Sequence, residues 1–258
     1  MTKLADLIRR AMRVSSSPMG FVPSTARIPA TMLLFAFASE RWKQAVADAV
    51  AAGADAVILA NKPGDKEIAD ATEAAGEHPC GLLVSDTGAD QIDRLRSLGV
   101  DFLVLEPEAP ASALLDEKAT LLLHLRQELT DVQLRALDAL PVIALYVERE
   151  SGPITIWRHM ELQRISSLSR KPLAVRVQPD ARQQDLLSLR GAGVALITVD
   201  MKERDAAGAL RNLRSIIDAL PRRKSGRPDN LPRVSMPGRA AAAAEEDDDD
   251  GDEDDDDE

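Results

Sequence analysis

Between Thr31 and Leu220 the chain repeats one pattern eight times, a short apolar run followed by a charged segment with helical spacing. The runs are TMLLFAF (31–37), AVILA (56–60), GLLVS (81–85), DFLVLE (101–106), TLLLHL (120–125), PVIALYV (141–147), PLAVRV (172–177) and VALITV (194–199). Turn formers such as Gly53, Gly99, Pro141, Pro172 and Gly193 precede them, and polar clusters able to start a helix follow most of them. Strict alternation of strand and helix forces parallel pairing, because each strand must be reached by a crossover. Eight such units close a (βα)8 barrel, here within about 190 residues. An open doubly wound sheet is the competing arrangement.

The flanks read differently. Residues 1–30 carry a helical pattern over 3–14, with Leu4, Leu7, Ile8 and Ala11 on one face, followed by a Ser/Pro/Gly loop. This helix is expected to close the barrel's lower end. Lys3, Arg9, Arg10, Arg13 and Arg27 give the segment a targeting-like charge, but charge interrupts any apolar stretch that a secretory signal would need. Residues 221–239 form a basic linker with four prolines and six basic residues against Asp229 alone. Residues 240–258 hold 13 of the chain's 43 acidic residues and no basic one, so the net charge of −11 belongs to the tail and the rest of the chain stands at +2. Like-charge repulsion without apolar content predicts a disordered acidic tail, suited to solubility, to the basic linker or to a basic protein partner.

Composition removes several classes of function. No apolar run is long enough to span a membrane. The single cysteine, Cys80, precludes an intramolecular disulfide and fits a reducing compartment, so a cytoplasmic location is expected. Seven aromatics (four Phe, two Trp, one Tyr) offer few stacking platforms, and no nucleic-acid partner is expected. There is no G-x-S-x-G, H-E-x-x-H, P-loop or C-x-x-C, and the glycines at 191 and 193 precede a strand instead of following one.

The phrases AVAAGADAVILAN, LRSLGVDFLVLEP and LRGAGVALITVD resemble the helix–turn–strand phrases of (βα)8 (TIM) barrel metabolic enzymes, phosphate-binding and aldolase-like barrels among them. The resemblance covers residues 31–220 and implies the barrel fold. Its phrases lie in the helix-to-strand turns, on the face of such barrels that serves stability, and therefore carry no chemistry.

Alternation along each strand separates a helix-facing side from a side that faces the barrel axis. Strand 7 presents Leu173, Val175 and Val177 on one side and Ala174, Arg176 and Gln178 on the other, so the arginine side points inward. By the same rule Phe102, Val104 and Glu106, then Leu122, His124 and Arg126, then Ala144, Tyr146 and Glu148, and finally Leu196, Thr198 and Asp200 point inward. Asp86 after strand 3, and Asn61 or Lys62 after strand 2, complete a ring at the C-terminal strand ends: Lys62, Asp86, Glu106, His124, Glu148, Arg176 and Asp200. Active sites of this fold lie on that face.

Glu106, His124 and Glu148 are the candidate acid–base groups, and Lys62, Arg176 and Asp200 the candidate substrate-binding groups. Asp86 and Glu106, with Glu148, would hold Mg²⁺ through oxygen ligands. Arg176 cannot be buried without a carboxylate or a ligand anion, so a bound anion and an ion pair with Glu148 or Asp200 both satisfy it. The turns after strands 7 and 8, QPDARQQD and DMKERDAAG, lack the glycine that usually opens a phosphate site, and an anion there would rely on side chains. Most loops are short, and ERESGPIT (148–155) is the candidate cover. These features point to an enzyme for a small anionic metabolite, of lyase or isomerase type. The alternative is a non-catalytic barrel that binds or scaffolds, with its specificity in the tail.

Overall fold

The computed structural model describes residues 3–12, 32–148 and 152–221. Strands β1 (Leu33–Ala38), β2 (Ala56–Leu59), β3 (Cys80–Val84), β4 (Phe102–Leu105), β5 (Leu121–Leu125), β6 (Ala144–Val147), β7 (Leu173–Arg176) and β8 (Val194–Asp200) pair in chain order. Every pairing is parallel, and β1 also pairs with β8, so the sheet closes. All eight apolar runs of the sequence are strands, and the open sheet is excluded.

The crossovers are α2 (Trp42–Ala51), α3 (Asp65–Ala75), α4 (Ala89–Ser97), α5 (Asp131–Ala136), α6 (Ile156–Ser169), α7 (Gln183–Gly191) and α8 (Ala206–Asp218). Between β4 and β5 only a 3₁₀ turn, Ala111–Leu115, is formed. Pro107 and Pro110 break that segment, leaving too few residues for a full helix. A cavity of about 410 Å³ opens on the outside of β4 and β5 where the helical layer is thin, lined by Leu105, Leu114, Leu123 and Leu125 among others.

The recurring helix-to-strand phrases have a physical role. Gly53, Gly99 and Gly193 all adopt φ near +90° (94°, 90° and 93°), a turn that side chains rarely permit. The aspartate that follows in two of the phrases clamps the preceding strand. Asp55 donates its N–H to Leu34 O and accepts the Leu34 N–H on its carboxylate at 2.8 Å; Asp101 does the same with Cys80, at 3.1 Å on the carboxylate side. Arg214 of α8 completes the first clamp, 2.9 Å from Asp55. Burial raises the Asp55 carboxyl above its ordinary value, against the opposing charge of Arg214.

Two apolar clusters result. One lies between strands and helices. The other fills the barrel with Leu33, Phe35, Phe37, Ala56, Ile58, Phe102, Val104, Leu122, Tyr146, Leu196 and their neighbours. Phe102 occupies space that a side chain at 81 would need, since a Cβ on Gly81 would collide with its ring. Helix α1 (Lys3–Met12) adds fully or nearly fully buried Leu4, Ile8 and Ala11 to this inner cluster, closing the lower end as its amphipathic pattern predicts. Burial of Leu4 alone is worth about 2 kcal/mol. Among the described residues no helix is long and apolar enough to cross a membrane. The loop at 13–30, most of the basic linker, the acidic tail and residues 149–151 of the candidate cover lie outside the described residues.

Candidate active site at the barrel mouth

Five of the seven ring residues come together at the upper end of the barrel, on β4 through β8. Glu106 follows β4, His124 lies in β5, Glu148 follows β6, and Arg176 and Asp200 end β7 and β8. Strand alternation therefore reads correctly for these positions, whose lower neighbours Val104, Leu122, Tyr146, Ala174 and Leu196 all belong to the inner cluster.

Lys62 and Asp86 do not join them. Beta strand β2 ends at Leu59, Ala60 fills the next inward place, and Asn61 and Lys62 both take left-handed conformations (φ 62° and 52°) that turn the chain away. On β3 the inward residue is Leu83, and Asp86 falls on the other parity. Both side chains are about three-quarters exposed and pair with each other at 3.4 Å.

The three carboxylates expected to hold magnesium, Asp86, Glu106 and Glu148, are engaged separately. Asp86 is engaged with Lys62, and Glu106 and Glu148 share an arginine. Among the described residues no group of three or more His, Cys, Asp or Glu side chains converges as a metal would require.

The shared arginine is Arg126, an inward residue that the ring had omitted. Its Nη2 lies 2.7 Å from Glu106 Oε1 and its Nε 3.4 Å from Glu148 Oε2. His124 sits beneath this bridge, 1% exposed, with Nε2 at 3.1 Å from Glu148 and Nδ1 at 3.9 Å from Glu106. Nε2 thus pairs with the Glu148 carboxylate, and Nδ1 has no hydrogen-bond partner. Burial holds the imidazole below its ordinary value; the Glu148 charge opposes this, and the Arg126 and Arg176 charges reinforce it.

The other half of the mouth is built from β6, β7, β8 and β1. Arg176 Nη2 stands 3.6 Å from Asp200 Oδ2, and its guanidinium lies over the Phe37 ring at 5.2 Å. Arg176 Nε is buried without a hydrogen-bond partner, as are the hydroxyls of Tyr146 and Thr198. The register sets Thr198 beside Arg176, and Tyr146 stacks against Phe37 with ring centroids 6.1 Å apart. Burial raises the Tyr146 phenol, and the neighbouring Arg176 charge, with the hydroxyl's contacts to Thr198 and Arg176, works against that. Alternation had already placed Tyr146 and Thr198 inward, but a buried hydroxyl without a partner is visible only in three dimensions.

The mouth thus has a carboxylate half, in which Glu106 and Glu148 share one guanidinium, and a donor half, in which Arg176, Tyr146 and Thr198 cluster with no carboxylate or carbonyl aligned on Arg176 Nε or on either hydroxyl. One carboxylate's worth of charge is left uncompensated in the first half, next to the donor cluster of the second.

This is a TIM barrel. No protein-family model matches the chain, and no curated protein matches it. Solved structures do. Phosphoribosyl anthranilate isomerase from Thermus thermophilus superposes with a TM-score of 0.56 at 15% identity, covering 74% of this chain and 100% of that one. KGPDC from Streptococcus mutans gives a TM-score of 0.58 at 13% identity, over 73% of this chain and 98% of that one. A tryptophan synthase alpha-subunit from the hyperthermophile Pyrococcus furiosus gives 0.55 at 15% identity, over 74% and 99%. At such identities the likeness establishes the fold alone.

Proposed function

We propose that the barrel mouth is the active site of an enzyme that moves a proton on a small anionic metabolite, in a reaction of lyase or isomerase type. The observation that carries this reading is the polar cluster at one side of the mouth: Arg176 Nε, Tyr146 Oη and Thr198 Oγ1 are buried, interact with one another and have no aligned hydrogen bond to the rest of the protein. Buried polar groups without partners cost free energy, and a fold keeps them where a ligand supplies the missing acceptor.

Arg176 holds the anion. Glu148, 37% exposed and the most accessible of the three mouth carboxylates, takes the proton from carbon. Glu106 and Arg126 fix the position of Glu148, and the buried imidazole of His124 tunes it from below. Tyr146 and Thr198 stabilise negative charge that develops on a carbonyl oxygen. Asp200 orients Arg176. Neighbours on this fold named as an isomerase and as a synthase subunit support reading it as an enzyme.

The test is proton exchange in deuterated water, followed by NMR over a panel of small oxo acids, hydroxy acids and sugar acids. The wild-type chain washes out the proton next to the carbonyl of its substrate, and Glu148→Gln slows this by about 10²–10⁴-fold. Anion binding without exchange on any compound would replace this reading with the non-catalytic binding barrel.

A further inference from the structure

We infer that the anion this mouth accepts is a carboxylate and not a phosphate, an inference that rests on the anion site proposed above. The positions where a barrel of this kind can hold phosphate are backbone N–H groups at the starts of the helices after β7 and β8. Here the chain's own carboxylates already stand at both helix starts and accept one N–H at each. At the start of α7 the Arg182 N–H donates to Asp185 at 2.9 Å. At the start of α8 Asp205 is the capping residue and its carboxylate accepts the Gly208 N–H at 3.2 Å. Gly208 does not open a cradle, because a Cβ placed there would collide with that same carboxylate. At the end of β8 the Lys202 N–H donates to Asp200 at 2.9 Å.

Charge points the same way. The two turns, QPDARQQD and DMKERDAAG, carry five acidic residues against three basic ones. A phosphate monoester brings about −1.5 to −2 at neutral pH and would meet the carboxylates of Asp185, Asp200 and Asp205, which accept the N–H groups of Arg182, Lys202 and Gly208.

The donors left over are side-chain groups. Arg176 has Nε free while Nη2 faces Asp200, and the Tyr146 and Thr198 hydroxyls, both fully buried, lie next to it. A planar group with two oxygens and a single negative charge matches the Nε–H of the guanidinium plus two hydroxyls. A tetrahedral dianion has one oxygen too many and twice the charge. The substrate class is therefore a small unphosphorylated carboxylic acid.

Calorimetric titration of the full chain at constant ionic strength tests this with four probes, lactate, pyruvate, inorganic phosphate and glycerol 3-phosphate. Lactate or pyruvate is expected to bind at least about tenfold tighter than either phosphate, and Arg176→Ala abolishes that binding. Asp205→Asn, which keeps a capping acceptor and removes its charge, raises phosphate affinity several-fold and leaves carboxylate affinity within about twofold. Arg176-dependent binding of phosphate or glycerol 3-phosphate as tight as that of lactate or pyruvate overturns the substrate class and leaves the anion site standing. If none of the four binds, or if carboxylate binding survives Arg176→Ala, the anion site itself falls and the inference falls with it.

Discussion

The two ends of this barrel treat polar groups in opposite ways. At the lower end Asp55 and Asp101 spend their carboxylates on strand N–H groups, Arg214 completes one clamp, and α1 seals the interior with Leu4, Ile8 and Ala11. At the upper end six of the eight buried side-chain atoms without an aligned hydrogen bond among the described residues gather on Ser39, His124, Tyr146, Arg176 and Thr198. The other two belong to Arg214, whose Nη2 still stands 2.9 Å from Asp218. One end is built for stability. The other gives up stability to keep donors available, which is the expected signature of a binding site.

Substitutions at the two ends should therefore move stability in opposite directions. Asp55→Ala removes the acceptor for Leu34 N–H and the partner of a largely buried guanidinium, and should cost about 2 kcal/mol in urea denaturation. Asp55→Asn, which keeps an acceptor for the strand, should lose less than half of that. Neither should alter the response to small carboxylates, and a lost response would show that the two ends are coupled.

The next effect is on pH dependence. Burial lowers the His124 pKa from 6.5, so below that pH the unfolded chain takes up a proton that the folded chain refuses. Stability contributed by this group is thus present above 6.5 and falls as the pH drops toward the folded value, by up to about 1.4 kcal/mol per pH unit. Urea midpoints between pH 7.5 and 5.5 should show a steeper loss for the wild type than for His124→Gln. Equal slopes would mean that Glu148 holds the imidazole protonated after all.

The smallest effect has the opposite sign from the first. Thr198→Val replaces a buried hydroxyl that has no aligned hydrogen bond with a methyl of similar shape and should raise stability by about 0.5–1 kcal/mol, while weakening carboxylate binding. A loss of stability in Thr198→Val would show that the hydroxyl is satisfied within the chain. The contrast between the ends would then rest on Arg176 and Tyr146 alone.

How much of this was legible beforehand follows from periodicity. Eight apolar runs, their glycine turns and the count that closes a barrel are local properties, and each run became a strand because it is short, apolar on both faces and bounded by turn formers. Alternation also carried the inward facing of Glu106, His124, Glu148, Arg176 and Asp200, since a strand has only two faces. It failed where the strands stop. Lys62 and Asp86 follow the last paired residues of β2 and β3, and beyond those ends the side-chain direction is set by turn geometry, such as the left-handed pair Asn61–Lys62. The missing helix after β4 was hidden for a similar reason, because Pro107 and Pro110 permit a turn of either kind.

What the amino-acid sequence determined by itself is the architecture and the list of residues that face the axis, because both follow from short-range periodicity and from turn chemistry. Only the tertiary structure decided which of those residues are satisfied. Glu106 and Glu148 are 42 positions apart and share Arg126, Asp185 and Asp205 stand at the helix starts, and the hydroxyls of Tyr146 and Thr198 meet at Arg176 with no carboxylate or carbonyl aligned on them. Pairing between charged groups depends on distances across the closed barrel. No single strand carries that information, and closure of the sheet supplies it.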